Sequence, residues 1–216
     1  PWRLDRQADG LSSLSPYCDR TRSSCFSGTA DAIVKNIHYF EQFEPKYLLV
    51  LSGDHVYQMN YRQMIDFHEE NEADATISVI EVPFEDAHRF GILNTNEDGS
   101  IYEFEEKPEK PKSNNASMGI NVFTWDVVKP YLIADEQDET SDHDFGKNII
   151  PALLKDKRRL YAYTFKGYWK DVGTIQSYWE SNMDLLDDNN QELVTSRSWE
   201  IYPNVKNLPP EYIGED

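Results

Sequence analysis

The chain has 216 residues, of which 39 are acidic and 21 basic, giving a formal net charge of −18. Apolar residues make up 39% of it, which is enough for a folded core and argues against a disordered acidic protein. Because the charge is so negative and no lysine or arginine cluster offsets it, nucleic acid is not an expected partner. The longest aliphatic run, 48–51, is far below the roughly 18 residues of a membrane span, so no membrane association is expected either.

No apolar leader opens the sequence, and Cys18 and Cys25 are too few to form a disulfide framework. Both features favour a cytoplasmic protein. Residues 1–27 show no sustained apolar period and are predicted to be irregular, whereas 28–186 alternate between helix and strand patterns. Residues 187–216 lose this periodicity and gain prolines, as is typical of a linker.

The folded segment is predicted to alternate between helices and strands, because apolar residues switch between helical spacing and short continuous or alternating runs. In chain order the predicted elements are a helix from Ala30 to Phe40, a strand at 47–51, a helix at 61–68, a strand at 75–82, a hairpin of strands 91–94 and 101–105, a strand at 118–123, a helix from Trp125, a helix through 149–153, a strand at 160–165 and a helix at 174–186. This order indicates an α/β fold, and the continuous run at 47–51 predicts a strand covered on both faces.

Local signals suggest where several helices begin and end. Thr29 is placed to cap the first helix, and either Asp144 or Ser141 can cap the helix that follows the acidic loop. Pro130 is expected to kink or stop the helix that begins at Trp125. The last helix carries one apolar stripe, made of Ile175, Tyr178, Trp179 and Met183.

Asp54 is the first candidate for chemistry, because it follows the strand at 47–51. Ligands bind beyond the carboxyl ends of the strands in open parallel sheets. Gly53 would allow close approach of the backbone, and the Asp54 carboxylate suits a hard cation such as Mg²⁺. The alternative is a turn in which Asp54 caps the next segment, and spacing alone slightly favours that alternative.

Asp171 is in a similar position, between a strand pattern and the helix that starts near Thr174. If the two strand ends meet at one edge of the sheet, Asp171 and Asp54 can share one ion, since Mg²⁺ needs only one or two protein carboxylates. The alternative, in which Asp171 only caps the helix, fits the sequence equally well.

Three further segments have weaker signals. Gly28 and Thr29 open a helix, where free N–H groups can hold an anion. Lys107, stiffened by the following proline, is a possible point charge for a phosphate, although a solvated lysine is commoner. Ser117 could hydrogen bond a sugar or a phosphate, or could serve only as a turn residue.

Taken in chain order, these segments resemble the ADP-glucose pyrophosphorylases, the glucose-1-phosphate adenylyltransferases of bacterial glycogen synthesis, within the sugar nucleotidyltransferases. The resemblance covers most of 28–212. The segments that carry it are Gly28-Thr29-Ala30-Asp31-Ala32-Ile33, Leu51-Ser52-Gly53-Asp54-His55-Val56-Tyr57, Phe104-Glu105-Glu106-Lys107-Pro108, Ala116-Ser117-Met118-Gly119-Ile120, Ser141-Asp142-His143-Asp144-Phe145-Gly146 and Trp169-Lys170-Asp171-Val172-Gly173-Thr174.

The resemblance implies a Rossmann-like mixed, mostly parallel sheet of the nucleotidyltransferase type, with 28–186 as part of the catalytic domain. It implies ATP and glucose 1-phosphate as substrates, and a homotetramer or a hetero-oligomer with a related subunit. The implied site residues are Asp54 and Asp171 for catalytic Mg²⁺, Lys107 and Ser117 for glucose 1-phosphate, Glu106 and Gly91 for the glucose, and Gly28 and Thr29 near the nucleotide. Asp54, Lys107 and Asp171 are the implied catalytic residues.

The sequence departs from the family pattern in three places. The glycine-rich loop and first strand of the family do not occur, and 187–216 leads toward a C-terminal left-handed β-helix that does not occur either, so the chain alone is expected to be inactive. Cys25 and Phe26 stand where the family usually has tryptophan and tyrosine, which alters the substrate contact expected at Phe26.

Three alternatives remain open on sequence alone. One is a related nucleotidyltransferase with another base or sugar phosphate, and another is a regulatory subunit that binds sugar phosphate without turnover. The presence of Asp54, Lys107 and Asp171 argues against the second. The third, an acidic α/β binding module without chemistry, leaves the ordered motifs unexplained.

Overall fold

The computed structural model describes residues 12–15, 26–187 and 190. The α-helices are α1 (Thr29–Val34), α2 (Ile37–Glu41), α3 (Tyr61–Glu70), α4 (Trp125–Glu136), α5 (Ile150–Lys155) and α6 (Ile175–Asp184). The strands are β1 (Tyr47–Val50), β2 (His55–Tyr57), β3 (Ala75–Glu81), β4 (Gly91–Thr95), β5 (Ile101–Glu106), β6 (Asn115–Thr124), β7 (Leu160–Thr164) and β8 (Trp169–Asp171). A 3₁₀ turn at Ala87–Arg89 precedes β4, and a π-helical turn at Phe145–Ile149 leads into α5. In the described part of the chain, no helix has the length and apolar character needed to cross a membrane.

Six strands form the main sheet, in the order β5-β4-β6-β3-β7, with β1 also paired to β6. The long strand β6 is antiparallel to β1, β3 and β4, while β3 and β7 are parallel. Strands β4 and β5 form the predicted hairpin, and Gly99 in its turn has a φ of 80°. The predicted α/β fold with a mixed sheet of the nucleotidyltransferase type is therefore confirmed.

The two faces of the sheet are covered by different helices, because successive side chains of a strand point to opposite faces. Met118, Ile120 and Val122 of β6 pack with Met64 of α3 on one face. Phe123 points to the other face, where its ring stacks on that of Phe145 at 5.2 Å and joins apolar residues of α1, α4 and α5. The second face is the one that carries the site described below.

Several helix predictions need correction. The predicted helix from Ala30 to Phe40 is two helices, broken between Val34 and Ile37. Thr29 is the first helical residue and does not cap α1, since its hydroxyl donates to Asp144 instead.

Of the two effects predicted for Pro130, a stop was wrong, because α4 includes Pro130 and has 12 residues in all. Pro130 cannot donate a backbone hydrogen bond within the helix, and the burial of Trp125, Val128 and Leu132 on the inner side of α4 offsets that loss. Asp144, rather than Ser141, caps the next helical segment: its side chain accepts hydrogen bonds from the N–H groups of Gly146 and Lys147.

Burial differs from the sequence prediction in two elements. All four residues of β1 are partly exposed, so this strand is not fully covered on both faces. The stripe on α6 lies open in the described part of the chain, with Ile175 90% and Tyr178 61% exposed. Residues 1–27 are predicted to be irregular and 187–216 to be a linker. Most of both ranges lies outside the described residues, so both assignments stay predictions.

Candidate active site

A second, two-stranded sheet that the sequence did not predict positions the two candidate aspartates. Strands β2 and β8 are antiparallel, with His55 opposite Asp171, and the backbone N–H of Val172 donates to the carbonyl of Asp54 at 3.0 Å. The position that a Cβ atom on Gly173 would occupy is 3.0 Å from Asp171 Oδ1 and 3.8 Å from Asp54 Oδ2. The two carboxylates, 117 positions apart in sequence, therefore converge on one place.

Neither aspartate caps a helix, so the simpler interpretations of both residues were wrong. The helix after Asp54, α3, is capped by Asn60, whose side chain accepts from the N–H of Arg62. The helix after Asp171, α6, is capped by Thr174. The side chain of Asp171 instead accepts a hydrogen bond from the N–H of Gly173 at 2.8 Å.

The Asp54 carboxylate is held in its ionised form. The hydroxyl of Ser52 donates to Asp54 Oδ1 at 2.6 Å, and this hydrogen bond is the main reason that the pKa of Asp54 is lowered. His55 Nε2 lies 3.6 Å from the same oxygen, and its ring is oriented by Trp169, whose indole N–H donates to His55 Nδ1 at 3.4 Å. The carboxylate is thus charged and oriented beside Asp171.

This pair of side chains fits a divalent cation that keeps much of its own solvation. Among the described residues, no group of three or more histidine, cysteine, aspartate and glutamate side chains is arranged to hold a metal. Two carboxylates suit a hard divalent cation that fills its other positions with water and phosphate oxygens.

A cavity of about 550 Å³ opens beside Asp171 on the face of the sheet that carries Phe123. Ser52 and His55, on either side of the Gly53-Asp54 pair, also line it. Of the residues predicted from the sequence, those lining this cavity are Thr29, Gly91, Glu106, Lys107, Ser117 and Asp171. The fold therefore brings residues from five separate segments into one place.

Phe26 and Gly28 lie in an adjoining cavity of about 500 Å³. The two cavities share Thr29, Glu106 and Lys107 in their walls, so the Phe26 side is continuous with the main cavity. Phe26 itself is only partly exposed. All the predicted site residues are thus brought to one region, while their individual roles stay predictions.

Lys107 adopts a backbone conformation that the sequence did not suggest. Its φ is 47°, in the left-handed region that a non-glycine residue before proline rarely adopts. Its N–H donates to the carbonyl of Phe90 at 3.2 Å, which ties this strained turn to the start of β4. The side chain is 67% exposed, and its ammonium group lies 3.9 Å from Glu106 Oε1 at the mouth of the cavity.

Glu106 lies deeper than Lys107. Burial raises its pKa, and this effect outweighs the nearby charge of Lys107, which lowers it. The carboxylate Oε2 is 3.1 Å from the position that a Cβ on Gly91 would occupy and 3.3 Å from the corresponding position on Gly146. The two glycines therefore leave room for Glu106 within the cavity wall.

The segment before the π-helical turn closes the cavity against α1. A Cβ atom on Gly28 would lie 2.2 Å from the carbonyl oxygen of His143, so only glycine allows this approach. The N–H of Ala30 donates to the same carbonyl at 2.8 Å, and the Thr29 hydroxyl donates to Asp144 Oδ2 at 2.9 Å. The N–H of Ala30, the second residue of α1, is therefore used within the protein and is not free for an anion.

The residues that line the cavity but were not predicted as site residues include Asp144 and Asn121. Asp144 was recognised only as a helix cap, although its motif was part of the resemblance. Asn121 was not noticed at all, because it lies within an apolar strand. A signal was present: Asn121 is four residues after Ser117, and in an alternating strand both should face the same side.

Comparison with known proteins adds independent information. A family model described as nucleotidyl transferase matches residues 9–188. The glucose-1-phosphate adenylyltransferase of Acetivibrio thermocellus is 57% identical over 214 residues, which cover 99% of this chain and 50% of that protein. Those of Clostridium acetobutylicum and Bacillus subtilis are 57% and 52% identical, and the chain covers 56% and 57% of their lengths. The chain thus spans about half the length of these relatives.

Proposed function

The chain belongs to the nucleotidyl transferase family, and we propose that the protein transfers the adenylyl group of ATP to glucose 1-phosphate, releasing pyrophosphate and forming ADP-glucose for glycogen synthesis. The observation that supports this proposal most strongly is the convergence of Asp54 and Asp171 beside a cavity whose mouth carries Lys107. The names of the relatives, all glucose-1-phosphate adenylyltransferases, support the choice of base and sugar.

The reaction joins two anions, since a phosphate oxygen of the sugar attacks the α-phosphorus of ATP. Its barrier is lowered mainly by positioning the two phosphates and by neutralising their charge. Lys107 is suited to the sugar phosphate, because its side chain is exposed and its ammonium group lies as far as 3.9 Å from the Glu106 carboxylate. Ser117 can donate a hydroxyl hydrogen bond to the same substrate from the cavity wall.

Asp54 and Asp171 are the residues that would hold Mg²⁺. When bound, the ion would supply positive charge to the phosphate oxygens of ATP. Ser52 keeps the Asp54 carboxylate ionised and oriented, and the N–H of Gly173 orients the carboxylate of Asp171. Glu106 and Gly91, which lie further in, would contact the neutral sugar, and Gly28, Thr29 and Phe26 would lie on the nucleotide side.

A pyrophosphate-release assay on the full-length protein that contains this chain tests the proposal. The highest kcat/KM is expected with ATP and glucose 1-phosphate when several nucleoside triphosphates and sugar 1-phosphates are compared. Preference for another base or sugar would indicate a related nucleotidyltransferase instead. Binding of glucose 1-phosphate without turnover would indicate a regulatory subunit.

Asp54→Asn is expected to lower kcat by at least about 100-fold, since a cation on the reacting phosphates contributes several kcal/mol to catalysis. The variant should unfold at the temperature of the wild type and should need more Mg²⁺ for half-maximal activity. Asp126→Asn, which changes an exposed aspartate of α4 outside the cavity, is the matched control. Unchanged turnover in Asp54→Asn would contradict the metal role.

We place this enzyme in the cytoplasm, as part of a homotetramer or of a hetero-oligomer with a related subunit. Sedimentation of the full-length protein would test the assembly. A monomer that turns over at the full rate would contradict it.

A further inference from the structure

One polar side chain in the wall of the main cavity has no hydrogen-bond partner within the described part of the protein. Asn121 is only 5% exposed, and its Oδ1 atom is enclosed without a partner. Buried side-chain amides are almost always hydrogen bonded, because leaving one unpaired costs about as much as losing a hydrogen bond. Since Asn121 also lines the cavity, a bound molecule could reach its amide.

The conformation of β6 explains why this residue faces the cavity. Ser117, Gly119 and Asn121 lie on the same side of the strand and all line the cavity, while Met118 and Ile120 pack on the opposite face of the sheet. Gly119 has a φ of 65°, and the pairing of β6 with β3 shifts register at this point. At this bulge Gly119 adds no side chain of its own, and Ser52 Cβ and His55 Cε1 lie 3.3 and 3.4 Å from the position that a Cβ atom there would occupy. Ser117 and Asn121 therefore line the same cavity wall on either side of this contact.

The surroundings of Asn121 favour an uncharged ligand group. Apolar Val50 is the cross-strand partner of Asn121, and Phe145 and Ile150 are further apolar residues of the cavity wall. The basic side chains that line the cavity, Lys107 and Arg89, are 67% and 46% exposed and belong to its outer part. The two basic side chains can therefore neutralise a phosphate in the outer part of the cavity. A phosphate placed against Asn121 would lose its hydration without gaining a positive charge.

A hydroxyl group suits this position better than any charged group. It both donates and accepts, so it can pair with the amide whichever way Oδ1 and Nδ2 are placed. We propose that Asn121 is a specificity-determining residue, whose amide hydrogen bonds a hydroxyl of the sugar ring while the outer part of the cavity holds the phosphate. The inference rests on the proposed function, because it takes a sugar 1-phosphate as the ligand.

The experiment compares wild-type full-length protein with Asn121→Leu, which keeps the size of the side chain but removes both polar atoms. Each protein is titrated with glucose 1-phosphate and with its 2-, 3-, 4- and 6-deoxy analogues, and the KM for ATP is measured in parallel. Asn121→Ala removes the amide without adding volume and gives the same comparison if the leucine variant does not fold. Asn182→Leu, an exposed asparagine of α6 that does not line the cavity, is the control.

The expected result is a loss of affinity for glucose 1-phosphate of roughly tenfold in Asn121→Leu, with the KM for ATP unchanged. One deoxy analogue should bind wild-type protein roughly tenfold more weakly than glucose 1-phosphate, yet bind the variant as well as glucose 1-phosphate does. Unchanged affinity for glucose 1-phosphate, or the same ranking of analogues in both proteins, would overturn the inference and indicate that ordered water serves the amide. Equal losses for both substrates would also overturn it.

Failure of the proposed function would look different. Wild-type protein would then form no ADP-glucose, or would prefer another sugar phosphate or nucleotide, before any variant is considered.

Discussion

His68 offers the sharpest quantitative test of the fold, because it is a buried histidine in a fully occupied hydrogen-bond network. Its side chain is 1% exposed. The Thr124 hydroxyl donates to the carbonyl of Ala73 at 2.9 Å and so accepts from His68 Nε2–H at 3.0 Å. Nδ1 then accepts from the Thr76 hydroxyl at 2.8 Å. This arrangement fits a neutral imidazole with its proton on Nε2. A second proton, on Nδ1, would point at the Thr76 oxygen, whose own hydrogen already points at that nitrogen.

Burial lowers the pKa of His68 to about 4 from 6.5, and it outweighs the charges of Asp74 and Glu69, which raise it. On acidification, His68 therefore binds a proton near pH 6.5 in the unfolded chain but only near pH 4 in the folded domain. The contribution of His68 to the free energy of unfolding is fully present above its pKa in the unfolded chain. It is lost as the pH falls toward its pKa in the folded domain. The full difference corresponds to about 3 kcal/mol, of which about 2 kcal/mol is lost between about pH 7.5 and about pH 5.

The measurement is the free energy of unfolding of this domain at the two pH values, in wild-type protein and in His68→Gln. Glutamine keeps a donor and an acceptor but does not titrate, so the variant should lose about 2 kcal/mol less than the wild type on acidification. Comparing differences cancels the contributions of all other groups. His38→Gln, at a histidine whose side chain is 93% exposed, is the matched control for replacing a histidine by glutamine. Equal pH dependence in wild type and His68→Gln would refute the reasoning.

Three substitutions, one of them with a matched control, test other features of the domain. Gly28→Ala should destabilise it by about 2 kcal/mol, because the added methyl group meets the carbonyl of His143. The control Gly53→Ala, with nothing within 4 Å of the added methyl group, should destabilise it by less than about 0.5 kcal/mol. Equal effects of the two substitutions would contradict the close approach at Gly28. Lys107→Ala should raise the KM for glucose 1-phosphate by about tenfold or more without changing that for ATP, and an unchanged value would remove Lys107 from the site. Thr174→Ala should lower the free energy of unfolding by about 1 kcal/mol through loss of the capping box, and no measurable loss would rule out that contribution.

The long elements could be predicted from sequence because their patterns extend over several turns or pleats. Helix α3, strand β3, the β4–β5 hairpin and strand β7 lie within a residue or two of their predicted positions. The break between α1 and α2 was not predictable in the same way, since the apolar spacing continues across it. At the break, the side-chain amide of Asn36 donates to the carbonyl of Ala32 at 2.8 Å, so a side chain competes locally with the helical backbone.

The same contrast applies to the site. Asp54, Asp171 and Lys107 were singled out because each stands at the end of a predicted strand, but their meeting could not be derived. The strands that bring the aspartates together, β2 and β8, have three residues each, too few to show any period. Asn121 was missed for the opposite reason: it lies within a strand that is otherwise apolar, where a polar residue has no local explanation.

The ribbon of β2 and β8 has a mechanical consequence for catalysis. Both aspartates sit at one end of the same three-rung ladder, so tilting this ribbon toward or away from the main sheet would carry them together and leave their spacing unchanged. A slip of one rung, in contrast, would turn the side chains of one strand to the opposite side and separate the pair. The spacing of the two carboxylates is therefore set by the register of the ribbon, not by where the ribbon lies against the main sheet.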